Sequence, residues 1–87
     1  MENQTNQQND ERLRIGRRIA ELRKAFVWPD STGEHPHVGM TQAQLADRCG
    51  IAQAHIARIE AGRYSVGLDT LAQIGDALGV KVDFVGI

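Results

Sequence analysis

Thr41 to Gly62 reads TQAQLADRCGIAQAHIARIEAG, and this stretch limits the fold more than any other part of the chain. Two short segments with apolar residues at helical spacing flank one glycine, Gly50. Thr41 and Gln44 have the T-x-x-Q spacing of a capping box. The Thr41 hydroxyl accepts from the Gln44 amide and the Gln44 side chain reaches back to the Thr41 amide, which marks a helix start. Leu45 and Ala46 point inward. Gly50 can take the left-handed conformation that stops a helix and turns the chain, with Ile51 plugging the turn. A further helix follows with Ile56 and Ile59 buried, and Gly62 stops it in the same way.

The rest of the chain is read around this pair. The 87 residues suffice for one domain with one core. Residues 1–9 carry no apolar side chain after Met1 and are expected to form a disordered polar tail, so the domain is expected over 10–87. Asn9 or Asp10 is expected to cap a first helix whose stripe is Ile15, Ile19, Leu22 and Phe26, with Gly16 a weak point worth about 1 kcal/mol. The connection 27–39 is long, holds both prolines, and is expected either to fold on itself or to have a function of its own. His35 and His37 lie in it without a third metal ligand nearby, so the expectation is a surface loop. A fourth helix, LDTLAQIGDAL, is expected to turn Leu68, Leu71, Ala72, Ile74, Ala77 and Leu78 to the core. In 80–86 the period changes to two, as in a strand. A lone strand is unstable in water. Its candidate mates are the 27–39 loop and the same strand of a second chain. The second is favoured, because a strand at a chain end is free to meet its twofold mate; an irregular tail packed on the helices is the alternative.

Composition excludes several classes. No apolar run approaches the roughly 18 residues of a membrane helix, and the first residues lack the charged-then-apolar pattern of a signal peptide, so they are not expected to be one. The lone Cys49 cannot form an internal disulfide, which fits the cytoplasm; it reads as a small core or turn residue. No nucleophile, base and orienting group stand together, so an enzyme is not expected, and no cofactor or metal is implied. The net charge of −1 gives no global argument for nucleic acid, although six of the ten basic residues fall in Arg12–Lys24. On its own, that run reads rather as a solvated helix face with salt bridges.

Two short helices around a glycine turn form a helix-turn-helix. Ala46 must be small where the helices cross. Gly50 must allow the turn, and Ile51, Ile56 and Ile59 must fill the angle. This leaves the outer face of the second helix of the pair without a core duty, and Gln53, Ala54, Ala57 and Arg58 lie on or beside it. A helix fits the major groove of B-form DNA. There Gln can pair with adenine, Arg with guanine, and Ala can pack on a thymine methyl.

Residues 41–79 resemble the phage-repressor or Cro-like helix-turn-helix proteins, the XRE family. The resemblance rests on T-Q-x-x-L-A (Thr41–Ala46), Gly50-Ile51, I-x-x-I-E-x-G (Ile56–Gly62), the last helix with A-L-G-V, and Leu22-Arg23. It implies an all-α, lambda-repressor-like domain of four to five helices that binds double-stranded DNA as a homodimer on a palindromic site. It implies that Gln53, Ala54 and Arg58 read bases. Gln42 and Thr41, at the second helix's N-terminus, would hold a phosphate, with His55, Arg63 and Tyr64 also toward the DNA backbone. It further implies that Glu60 pairs with Arg23. The chain departs from the family in three places. Ala52 replaces the usual Ser or Thr cap, 27–39 is longer than the usual tight turn, and a strand stands where a fifth helix is common. Strand-ended versions resemble antitoxins, so the alternative to a repressor is an antitoxin that also binds a toxin protein. A pure protein-interaction module is disfavoured by the Gln, Ala, His and Arg on the outer face.

Overall fold

The structure, a computed structural model, describes residues 4–29 and 36–86, with side chains from Asp10 onward. Four helices follow in order: α1 (Gln4–Lys24), α2 (Gln42–Cys49), α3 (Gln53–Glu60) and α4 (Leu68–Leu78). The all-α expectation holds. The helix start expected at Asn9 or Asp10 does not: α1 begins at Gln4. No glycine or proline interrupts the stretch from Gln4 to Asp10, and glutamine is a good helix former.

The capping box at Thr41 forms in full. Thr41 Oγ1 accepts from the Gln44 backbone N–H at 3.0 Å and Gln44 Oε1 accepts from the Thr41 N–H at 2.8 Å. Gly50 ends α2 at φ +70°, a region that costs a residue with a Cβ strain. The backbone N–H groups of Gly50 and Ile51 both turn back to the Ala46 carbonyl. Ala52 caps α3 without a side-chain bond, as its lack of an oxygen requires.

The core is Ile19, Met40, Leu45, Ala46, Cys49, Ile56, Ile59, Ile74, Ala77 and Leu78, with Ile15, Leu22, Phe26, Ile51 and Leu71 packed against it. Leu68 and Ala72 were expected inside and are exposed, Leu68 by 69%. The buried stripe of α4 runs through 71, 74, 75 and 78, with 77 beside it. Ala72 lies a 100° step off that stripe. Leu68 shares the stripe but sits in the first turn, where the packed body does not cover it. Burial pushes the Cys49 thiol up from its ordinary pKa, and its Sγ donates to the Leu45 carbonyl at 3.0 Å. That leaves a neutral thiol, in keeping with a core residue rather than a reactive one.

The long connection folds on itself at its base. Val27 and Val38 form an antiparallel bridge. The Trp28 N–H donates to the His37 carbonyl at 2.9 Å, the Gly39 N–H to Phe26 at 2.7 Å and the Met40 N–H to Arg23 at 3.0 Å. His37 stacks on Trp28, whose indole N–H donates to the Gly39 carbonyl. The Arg48 guanidinium lies over the Phe26 and Trp28 rings at 5.0 and 5.4 Å and its Nε donates to the Ala77 carbonyl. His35 lies outside the described residues, and no cluster of metal-ligating side chains stands among those described.

Residues 80–86 are not a strand in this single chain. Among the described residues, no backbone group of 81–86 bonds to another backbone group, and the 27–39 loop pairs with itself instead. Val82, Phe84 and Val85 are exposed.

Gly16 of α1 packs directly against the backbone of α3. A Cβ there would sit 2.5 Å from the Ile59 carbonyl oxygen and 2.7 Å from that of Glu60. Both are backbone atoms of α3 and cannot rotate away. In an open helix Gly16→Ala would stabilise by about 1 kcal/mol. Here overpacking, typically about 1–3 kcal/mol, opposes that gain. Gly16→Ala is therefore expected to destabilise, with a lower urea midpoint at unchanged slope. A variant as stable as the parent would show that α1 and α3 do not approach this closely.

Candidate nucleic-acid interface

The carboxylate of Glu60, in the last turn of α3, joins three helices. Arg23 of α1 grips it in two bonds, Nε to Oε2 at 2.7 Å and Nη2 to Oε1 at 2.8 Å. The side chains are only 10% and 7% exposed. The remaining guanidinium nitrogen, Nη1, donates to the Met40 carbonyl at 2.7 Å. The expected Arg23–Glu60 pair is thus present, buried and bidentate, the strong form of a charge-assisted bond. Its additional carbonyl partner satisfies a donor that would otherwise be stranded.

Gln42 joins the same carboxylate, its Nε2 donating to Glu60 Oε1 at 3.0 Å. Sequence reasoning missed this bond, because residues eighteen positions apart carry no local signal. Gln42 had been expected to face a phosphate. An amide nitrogen has two hydrogens, so the bond leaves one available and holds the side chain in a single orientation at the N-terminus of α2. Thr41 is exposed beside it.

On α3, Ile56 and Ile59 are buried at 0% and 1% exposure, while Gln53, Ala54 and Arg58 are exposed. At about 100° per residue, Gln53, Ala57, Ala54 and Arg58 occupy an arc of roughly 140°, nearly opposite the two isoleucines. The three residues expected to read bases therefore share one solvent face. Beyond α3 the Arg63 N–H donates to the Arg58 carbonyl, closing the helix and presenting Arg63 and Tyr64 outward. Tyr64 packs edge-on against His55, ring centroids 4.5 Å apart, so these two lie together as a pair at the flank of α3. Ala46 is buried at the helix crossing and Ile51 is half-buried at the turn.

The family model described as Helix-turn-helix matches residues 37–85. This chain belongs to the helix-turn-helix family, a family of DNA-binding regulators rather than enzymes. An immunity repressor protein of Bacillus phage phi105 is 30% identical over 73 residues, which make up 84% of this chain and 42% of that protein. The chain thus spans less than half the length of this curated relative. No solved structure matches the chain. Among the described residues no helix is long and apolar enough to cross a membrane.

Glu60→Gln removes the charge and half of the bidentate geometry, and leaves a buried guanidinium without a counter-ion. Breaking one side of a buried pair costs about 3–5 kcal/mol, a large share of the roughly 5–15 kcal/mol that holds a small domain together. Thermal unfolding of Glu60→Gln is expected well below the parent. A shift of only a degree or two would mean that the pair is not what locks α3 to α1.

Proposed function

We propose that the protein is a sequence-specific transcriptional repressor that binds a palindromic DNA site as a homodimer. The observation that carries this reading is the exposed face of α3. It is held rigidly from behind by Ile56, Ile59 and the Glu60–Arg23 pair, yet has no structural duty of its own. In the proposed complex α3 lies in the major groove. Gln53 pairs with an adenine, Arg58 with a guanine, and Ala54 packs on a thymine methyl. Gln42 and Thr41 at the start of α2 hold one phosphate strand, since a helix N-terminus favours an anion. His55, Arg63 and Tyr64 hold the other. The similarity to a phage immunity repressor protein supports repression as the outcome.

A single domain of net charge −1 gains little from long-range attraction to DNA. Affinity therefore rests on base contacts and on using two domains at once, with the two α3 helices roughly 34 Å apart in successive major grooves.

The test is fluorescence anisotropy with a duplex selected from a randomised pool, at two salt concentrations. Each bidentate base contact is worth about 1–3 kcal/mol of discrimination. The Gln53→Ala, Arg58→Ala double variant is expected to lose preference for the selected site while keeping weak, salt-sensitive binding. Arg63→Ala is expected to weaken all duplexes alike and to flatten the salt slope by about one unit. Failure of the parent to bind any duplex at low salt would end the DNA reading.

A further inference from the structure

Val80–Val85 forms one wall of an open groove of about 880 Å³, whose other walls are α1 and α4. The segment starts from a fixed point, since the Val80 N–H donates to the Gly75 carbonyl at 2.9 Å. Beyond it, no backbone group of 81–86 bonds to another backbone group among the described residues; the Phe84 N–H donates to Asp83 Oδ1 at 2.7 Å, a local bond that pairing with another strand would exchange. Its apolar side chains are uncovered, Val82 at 49%, Phe84 at 99% and Val85 at 77%. Backbone N–H and C=O groups that find no partner in their own backbone are a template for another strand. The alternation of Val80, Val82 and Phe84 with Lys81 and Asp83 gives that strand two distinct faces.

We infer that the partner strand is the same segment of a second copy, paired antiparallel with the twofold axis at Val82. This rests on the homodimer reading above and names its interface and register. The argument is charge complementarity of the segment with itself. About an axis at Val82, Lys81 faces the partner's Asp83 and Asp83 faces the partner's Lys81. On the opposite face Val80 meets the partner's Phe84 and Val82 meets the partner's Val82, one unbroken apolar stripe. Every neighbouring register is worse. An axis at Lys81 sets lysine against lysine, and an axis at Asp83 sets aspartate against aspartate. A half-step sets Val82 against the partner's Asp83, so apolar and charged groups share a face. Directly opposed residues have Cβ atoms about 4.5–5.5 Å apart, where opposite charges attract and like charges repel. Only a self-complementary patch can close a twofold dimer, and only the Val82 register makes this segment self-complementary.

A charge-swap series read by sedimentation equilibrium tests the register. K81D places aspartate against the partner's Asp83 twice over, and D83K places lysine against the partner's Lys81. Each single variant is expected to weaken the dimer about tenfold or more, since two opposed pairs change sign together. The K81D/D83K double variant restores opposite charges and is expected to dimerise within about threefold of the parent. Both side chains are exposed, and circular dichroism should give every variant the parent's helix content. If the parent is a dimer but the single variants dimerise as tightly, or the double variant is as weak as the singles, the register is wrong and the homodimer stands. A monomeric parent overturns the homodimer and the register with it.

Discussion

The fold depends on one carboxylate. Glu60 receives Arg23 from α1 and Gln42 from the start of α2, and it stands in the last turn of α3. A helix of eight residues such as α3 is too short to persist alone in water, so its existence and its orientation both come from what it packs against. Apolar contacts through Ile56 and Ile59 supply the burial but are non-directional. The bidentate grip of a planar guanidinium on a planar carboxylate is directional, and sets where α3 lies against α1. Gly16 makes the grip possible by letting α1 approach the Ile59 and Glu60 carbonyls to a distance that a side chain would prevent.

Arg23 also explains why the long 27–39 connection does not disturb the domain. Its guanidinium donates to the Met40 carbonyl while its own carbonyl accepts the Met40 N–H. The chain leaves α1 and returns to α2 at one pinned point, and the Phe26–Gly39, Trp28–His37 and Val27–Val38 contacts close the stem above it. Residues inserted beyond such a stem add only loop-closure entropy, about 0.6 kcal/mol for each doubling of length. Arg48, set over Phe26 and Trp28 and bonded to the end of α4, ties the stem to the rest of the core. The connection is longer than a tight turn, yet its two ends meet as closely as those of a turn.

The parts of this arrangement that were legible in the sequence are those governed by local rules or by a strong family pattern. The Thr41–Gln44 capping box, the left-handed Gly50 and the inward isoleucines follow from spacing within a few residues. The Arg23–Glu60 pair followed from the family resemblance. Gly16 was not legible, because a glycine within a helix reads as a weakness until the carbonyls it meets, more than forty residues away, are known. Leu68 and Ala72 were misplaced because periodicity locates an apolar stripe but not where the packed surface ends. The 80–86 segment shows a third limit. Alternation specifies two faces of a strand, but a strand also needs a mate, and a single chain does not supply one. Of the candidate interface, the outward positions of Gln53, Ala54 and Arg58 were readable, whereas the attachment of Gln42 to Glu60 was not.

That attachment joins two jobs that are otherwise kept apart. Gln53, Ala54 and Arg58 contribute nothing to the core, so substitutions there cost little stability and, in the proposed complex, would change what α3 recognises. Gln42 is different, since one of its amide hydrogens serves the frame and the other remains available. A side chain already held in one rotamer loses less entropy on meeting a ligand than a free one, a saving of about 0.5–1.5 kcal/mol per immobilised side chain. The same bond fixes the start of α2 relative to α3. A phosphate held at Gln42 would therefore set the depth and angle at which the α3 face meets the bases. In the proposed complex, positioning on the DNA backbone would belong to the rigid frame, and discrimination to the three residues that the frame leaves free.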